Sequence, residues 1–428
     1  MVRCWYRLDG RCFVETVSVG PGRDWTAAAY EAARLVHLLA GVSYYKAGAA
    51  RTVEFGDTPL RPGECEFVRS FYVDGLGEFA YRNGLSLDDV AFTGGVGACP
   101  EAVAAGVDTD RPLVPFGGGI DSLVTADAVN AACPDAALVV VNRAGVRFEA
   151  IERAVAATGL PVLRAEREID AALLRPTNPA AVFNGHVPIT GVLSAIAVLV
   201  AVLDGRGAVV MSNEWSASRG NIELDGGRTV NHQWSKSDAF ENGFRAVLAG
   251  AYAGRGPKYF SLLRPWSELW VARRFAGLER FHGVVHSCNR AFNLDPAQRL
   301  DRWCGRCDKC CFIDLILSPF LGPAALGRIF AGSEPLDDPT LLPRFRALAG
   351  LGDARKPFEC VGDVDECRTA LALAAERPDR AANPVLAALV AEFGPAAAAA
   401  AAADAERLLQ PLGPHNVPRA LLATASLG

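Results

Sequence analysis

Two stretches hold residue types at spacings that do chemistry. The first is Leu113-Val114-Pro115-Phe116-Gly117-Gly118-Gly119-Ile120-Asp121-Ser122-Leu123-Val124. It predicts a short apolar strand, a glycine turn, and a helix opened by Asp and Ser. Consecutive glycines let several backbone N–H groups point into one concavity. The helix behind them adds free amides and the positive end of its dipole, so the place suits an anion, most often a phosphate. Taken alone, the triple glycine is first of all a turn between a strand and a helix. The second stretch is Cys288-x15-Cys304-x2-Cys307-x2-Cys310. Zinc takes four thiolates tetrahedrally, and a closed site of that kind is structural. An iron–sulfur cluster uses the same ligand type. Cys311 points away from Cys310 along a helix and is the spare thiol.

Other polar groups cluster in apolar surroundings: Asn184-Gly185-His186, Ser212-Asn213-Glu214, Asn231-His232-Gln233-Trp234-Ser235-Lys236-Ser237, Arg264-Pro265-Trp266-Ser267-Glu268, and Lys356-Pro357-Phe358-Glu359-Cys360-Val361-Gly362. Each can be a loop with satisfied hydrogen bonds, but together they exceed what a plain α/β domain needs.

The elements that must position these groups follow a pattern. Residues 1–110 read as a separate α+β domain. Arg3 to Leu8 and Cys12 to Val19 have strand composition around Asp9-Gly10, a hairpin signal. Trp25 to Ala40 has helical periodicity and ends at Gly41, before Ser43-Tyr44-Tyr45-Lys46. Gly94-Gly95-Val96-Gly97 and Asp108-Thr109-Asp110 mark a boundary loop. From Arg111 to residue 320 strands and helices alternate. The strands are Leu113 to Phe116, Ala137 to Asn142, Pro161 to Ala165 and Ala208 to Met211; the helices run from Ser122, from Phe148 to Thr158, and over 189–203. Apolar strands separated by helices predict a parallel sheet covered on both faces. Ligands of such sheets bind at the carboxyl ends of the strands. The glycine loop lies at one such end, and so do Asn142 and Ser212-Asn213-Glu214. Residues 321–428 are Ala- and Leu-rich and read as a helical domain, with an alanine tract at 396–403.

Composition narrows the function classes. The chain has 428 residues, half of them hydrophobic, and a net charge of −5. An acidic balance disfavours a nucleic-acid partner. The first residues do not read as a signal peptide, and the longest apolar run, Ile189 to Leu203, is too short to span a bilayer. The twelve cysteines are bunched rather than evenly spread, which fits one metal site better than a disulfide scaffold. A cytoplasmic protein without a membrane partner is expected.

The glycine loop lacks the Lys of a Walker loop. It also lacks the third glycine and the strand-end acid of a dinucleotide fingerprint: Ser122 and Asn142 stand there. What remains, Gly117-Gly118-Gly119-Ile120-Asp121-Ser122, resembles the loop of the PP-loop ATP-pyrophosphatases, with Gly117 in place of its usual Ser. That resemblance implies a sheet of the adenine nucleotide alpha hydrolase-like type and cleavage of ATP between the α and β phosphates. It gives Gly117, Gly118 and Gly119 the cradle role. Ser122 donates to a phosphate and caps the helix, while Asp121 orients the loop or helps hold Mg²⁺. A zinc site in this place is similar to that of the deazaguanine nitrile synthases, which are also PP-loop enzymes.

Across nearly the whole chain the pieces resemble the UDP-N-acetylmuramoyl-L-alanyl-L-glutamate epimerases (MurL). They are Ser43 to Lys46, Pro115 to Ser122, Ser212 to Glu214, Asn231 to Ser237, Ser261-Leu262-Leu263-Arg264-Pro265, Trp303-Cys304-Gly305-Arg306-Cys307, and Lys356 to Gly362. The resemblance implies conversion of UDP-MurNAc-L-Ala-L-Glu to its D-Glu epimer through an acyl-adenylate, with ATP going to AMP and pyrophosphate. Asp121, Ser122, Cys360, His232 and Lys236 are the candidate catalytic residues, with Glu359 a further possible base. Asn142 joins the loop in nucleotide binding. Lys46, Glu214 and Arg264 are candidates for holding substrate, and Cys288, Cys304, Cys307 and Cys310 for holding zinc. Two other readings use the same loop: a PP-loop amide, nitrile or thioamide synthase acting on a small acid, and a non-catalytic zinc-stabilised nucleotide-binding module.

Overall fold

The computed structural model describes residues 1–424 apart from Pro21, Val96, Ala98, Ala180, Ala181, Asp225, Gly226, Arg228 and Leu294. The expected boundary loop at 94–97 therefore lies, at Val96, outside the described residues. In chain order the strands are β1 (Val2–Leu8), β2 (Arg11–Val19), β3 (Thr52–Glu54), β4 (Ala91–Thr93), β5 (Asp108–Pro115), β6 (Ala137–Arg143), β7 (Val162–Glu168), β8 (Arg206–Met211), β9 (Ile222–Glu223), β10 (Thr229–Val230) and β11 (Lys258–Ser261). Two short ladders, β3 with β4 and β9 with β10, stand apart from a seven-stranded sheet ordered β1-β2-β7-β6-β5-β8-β11. From β7 to β11 every pairing is parallel. The β1–β2 and β2–β7 pairings are antiparallel.

Side chains alternate across these strands, which gives the sheet two buried faces. Val114, Leu138 and Val140 face a core shared with the helices Ile120–Ala132 and Glu149–Thr158. Leu113, Ala137 and Val139 face a second core under Ala27–Ala40, Ile189–Leu203 and Asp238–Tyr252. The helices after β5 and β6 thus cover one face, and those after β7 and β8 cover the other. The crossovers part between β5 and β8, the position at which open sheets of this kind form a crevice at the strands' carboxyl ends. Ile189–Leu203 is buried along nearly its whole length. Each Val or Leu fully buried in this way contributes about 1.5–3 kcal/mol. No single helix among the described residues is long and apolar enough to cross a membrane, and the apolar pair Pro384–Phe393 and Pro395–Leu408 is bent by 97°.

The α/β class, the mainly parallel sheet and the helical C-terminal region agree with expectation. The division at residue 110 does not coincide with the sheet. The first hairpin forms its edge, because β2 pairs with β7 from Thr16↔Glu168 to Val19↔Ala165. A buried ion pair fixes it there: Arg167 Nε lies 2.7 Å from Glu15 Oε1, and Arg167 also donates to Ser43 Oγ at 3.0 Å. Nor does the core stop at residue 320, since one cluster runs from Val114 through the C-terminal helices to Val417. Ser43 to Lys46 lies in the short helix Val42–Gly48.

Candidate active site

The glycine loop leaves β5 at the crevice. Gly118 has a φ of +81°, a left-handed conformation that L side chains rarely adopt. Its carbonyl accepts from the His286 amide at 3.2 Å, so the segment 286–287 backs the loop. Gly117 has nothing within 4 Å of where a Cβ would stand, so a serine side chain would fit there. The helix starts at Ile120 rather than at Ser122, with Gly119 as its N-cap and no side-chain cap. The expected capping role of Ser122 is therefore corrected. Ser122 sits inside the first turn and donates to the Gly119 carbonyl at 3.0 Å. An uncapped helix start keeps its first amides available to an anion.

Next to the loop, Asp121, Glu214 and Glu268 bring carboxylate oxygens within 4.8 Å of one another. Asp121 is in the helix behind the loop, Glu214 follows β8, and Glu268 opens the helix Glu268–Ala276. Glu214 and Glu268 are each 2% exposed. Among the described residues, Asp121 Oδ1, Glu214 Oε1 and Glu268 Oε2 have no hydrogen-bond partner. Burial, with Glu214 beside it, pushes Asp121 up to about 6. Burial, Asp121 and Glu214 push Glu268 well above the carboxylate range. Lys236 and Lys309 oppose these shifts at Asp121. Orphaned, crowded, buried carboxylates fit a hard cation such as Mg²⁺. Asn142 Oδ1 and Ser212 Oγ, at the ends of β6 and β8, are also buried without partners among the described residues. Glu268 was not singled out in the sequence, although the cluster that holds it was.

A strap from the C-terminal region crosses this crevice. Asn221 Nδ2 donates to the Pro357 carbonyl at 2.9 Å, and the Arg82 guanidinium lies 5.1 Å from the Phe358 ring centre. Asn289 Nδ2 holds Glu359 at 2.8 Å, and Gln233 Nε2 reaches the Val361 carbonyl at 3.4 Å. Glu359 is thereby occupied as an Asn289 acceptor. Cys360 is delivered beside three basic groups. Lys309 Nζ donates to its carbonyl, and Lys236 and His232 stand near enough to its thiol to act on it electrostatically. Burial pushes the Cys360 thiol up, but Lys236 and His232 outweigh it and bring it down to about 6. Burial works against charge on His232, yet Cys360 and Glu78 lift it to about 9. Glu78, from the short helix Gly77–Asn83, contacts His232 Nδ1 directly. The result is a thiol, an imidazole and a carboxylate in series, the arrangement that makes a reactive thiolate. The His186 ring lies 4.2 Å from that of His232, and burial with this neighbour lowers it to about 4.

The expected substrate residues divide. Arg264 is 2% exposed and its guanidinium is turned inward. It donates to Glu241 Oε2 at 3.2 Å, to the Glu214 carbonyl at 2.8 Å and to the Lys236 carbonyl at 2.5 Å. It therefore positions Glu214 and Lys236 from inside the protein rather than facing a substrate, which corrects the expectation. Lys46 Nζ lies 3.3 Å from both Asn184 Oδ1 and the Gly185 carbonyl, next to His186.

The sulfurs of Cys288, Cys304, Cys307 and Cys310 lie within 4.8 Å of one another. Cys304 and Cys307 stand 3.6 and 3.4 Å from Cys310. Zn–S bonds of about 2.3 Å in a tetrahedron separate sulfurs by about 3.8 Å, so the thiols present fit that ion. Cys311 is buried outside the group, and burial pushes its thiol up to about 12. Cys288 follows the segment behind the glycine loop, and Cys310 follows Lys309. The cluster ties together two pieces that line the crevice.

Family models match the chain twice: the MurL N-terminal domain over residues 1–262 and the MurL C-terminal domain over residues 284–404. Relatives named UDP-N-acetyl-alpha-D-muramoyl-L-alanyl-L-glutamate epimerase are similar over most of their length. The one from Micromonospora sp. is 43% identical over 385 residues, covering 90% of this chain and 83% of the relative. The one from Salinispora tropica is 41% identical over 400 residues, covering 93% and 84%. The one from Xanthomonas oryzae pv. oryzae is 40% identical over 398 residues, covering 91% and 86%. No solved structure matches.

Proposed function

The chain belongs to the MurL epimerase family, and from that premise we propose that it inverts the terminal L-glutamate of UDP-MurNAc-L-Ala-L-Glu by way of an ATP-derived acyl-adenylate. The observation that carries the reading is the meeting, in one place, of a glycine loop at an uncapped helix start, a carboxylate trio, and a thiol, an imidazole and a carboxylate side by side.

A free carboxylate makes the neighbouring Cα–H very weakly acidic, because the carbanion would sit beside a negative charge. Adenylation removes that charge and leaves an electron-withdrawing acyl phosphate. In the proposal, the loop amides of Gly117 to Gly119 hold the ATP phosphates, with Ser122 and Asn142 beside them. Asp121, Glu214 and Glu268 hold Mg²⁺, which supplies charge neutralisation at the phosphates. Cys360, kept as a thiolate by Lys236 and His232, takes the α-proton. Lys236 and Lys309 offset the negative charge that then develops on the substrate. Inversion requires a proton to return on the opposite face, and hydrolysis of the adenylate releases AMP. The four cysteines hold a structural zinc that fixes the crevice walls.

The test is chiral analysis of glutamate after incubating the protein with ATP, Mg²⁺ and UDP-MurNAc-L-Ala-L-Glu. D-Glu together with AMP and pyrophosphate is expected. All-L glutamate with intact ATP would overturn the proposal.

A further inference from the structure

A further group of ligand-type side chains stands behind Cys360. Glu78, His186 and His232 bring a carboxylate oxygen and two imidazole nitrogens within 4.8 Å of one another. Both rings address the same atom: His232 Nδ1 contacts Glu78 Oε2, and His186 Nδ1 lies 3.9 Å from it. Three segments remote in sequence supply these groups, and each is tied in place. Arg82 Nε donates to Glu78 Oε1 at 2.6 Å, which fixes the carboxylate and leaves its second oxygen to the two rings. The 184–186 segment lies on the helix Gly77–Asn83. Asn83 Nδ2 donates to the Asn184 carbonyl at 3.3 Å, and a Cβ at Gly185 would stand 3.1 Å from the Phe79 ring. The His232 amide donates to Asn221 Oδ1 at 2.8 Å.

Two imidazoles and one carboxylate select borderline ions such as Zn²⁺ or Co²⁺ over Mg²⁺, which prefers oxygen ligands alone. Three protein ligands leave a fourth position free. Ligand atoms about 2.0–2.2 Å from a tetrahedral ion stand about 3.4 Å apart. His186 Nδ1 and Glu78 Oε2 are close to that spacing at 3.9 Å, and the direct His232–Glu78 contact would open to admit the ion. The ion takes the place of the proton between His232 and Glu78, which leaves to solvent. This group differs from the four cysteines in two ways. It is partly open, with the His186 and His232 side chains 21% and 13% exposed, so an ion can enter and leave. Arg82 and Lys236 oppose a cation there, so the ion is held more weakly than by four thiolates.

We propose that Glu78, His186 and His232 form a second metal site, selective for divalent transition ions, and that an ion there silences the enzyme by holding His232 away from its work on Cys360. The inhibition rests on the role given to His232 above; the binding does not. The zinc-loaded full chain is titrated with Co²⁺ in excess Mg²⁺, which occupies the carboxylate trio. One further Co²⁺ per chain is expected, with weak visible bands, no thiolate charge-transfer band, and paramagnetically shifted proton signals from two imidazoles. His186→Ala and Glu78→Gln should each weaken this binding at least about tenfold and keep the zinc of the cysteine group; Asp121→Ala should keep the Co²⁺. No further Co²⁺, shifted signals from fewer than two imidazoles, or unchanged affinity in both variants would overturn the site. The imidazole signals decide it in the unchanged protein even where a variant loses its zinc. D-Glu production should fall in step with Co²⁺ occupancy. Full occupancy with undiminished D-Glu overturns the inhibition, whereas all-L glutamate before any Co²⁺ is added removes the epimerase reading and leaves the site standing.

Discussion

Cys360 draws its reactivity from neighbours remote in sequence, and this yields two predictions. Cys360→Ser should still form AMP from ATP and substrate. It should lose exchange of the glutamate α-proton with solvent deuterium by at least about 100-fold, the usual worth of a positioned base; mass spectrometry reads this, and normal exchange would remove Cys360 from the mechanism. The second concerns pH. The thiolate is present above about 6 and the charged His232 below about 9. Activity should therefore rise with pH through the first value and fall through the second. Glu78 raises His232, so Glu78→Gln should move the falling limb to lower pH and leave the rising limb nearly in place. A pH–rate profile of both proteins decides this. Cys360, His232 and Lys236 were legible in the sequence as polar residues in apolar runs. Glu78 was not, because a lone acid in a short aromatic helix reads as surface charge and it meets His232 across 154 positions. Arg264 was legible as important but not as internal, since only the fold turns its guanidinium inward.

The glycine loop separates what one element needs from what it lacks. Gly118→Ala must place an L residue at a φ of +81°, which costs about 1–2 kcal/mol and tilts the cradle. ATP affinity should fall, with a small drop in melting temperature. Gly117→Ser enters open space, so stability should stay within about 0.5 kcal/mol and, on the proposed function, ATP should bind more tightly through the added hydroxyl. Equal ATP affinity in all three proteins, measured by calorimetry, would take the loop out of nucleotide binding. Local pattern gave most elements of the sheet: the apolar strands, the 189–203 helix and the hairpin around Asp9-Gly10. It missed β11, four residues long, which is too short to show periodicity. It also could not show that β2 pairs with β7, because strand neighbours are chosen by tertiary packing.

At the scale of the molecule, the cysteine group acts at a distance from the chemistry. Cys307→Ser should remove bound zinc, read by elemental analysis, and lower the melting temperature, since a closed Cys4 site contributes folding energy. It should also weaken ATP binding, because Cys288 adjoins the segment that backs Gly118. Unaltered metal content would show that the four thiols serve another purpose. Spacing alone made the cysteines legible; their position behind the glycine loop was not, as nothing local links residues 118 and 286. The expected boundaries at 110 and 320 also failed to show that one sheet and one core run through them.

The strap that carries Cys360 has a consequence for the order of events at the ribosome. Loop, carboxylates and zinc ligands are all translated before residue 311, whereas the thiol and Glu366 come later. Glu366 accepts from the Glu268 amide at 2.9 Å, so the early carboxylates themselves gain support from late sequence. A nascent or clipped chain ending before the strap would lack both the thiol proposed for proton transfer and part of the scaffold proposed for nucleotide cleavage. On the proposed mechanism it would be idle rather than a futile consumer of ATP, and the last translated quarter would serve as the enzyme's own proof of completion.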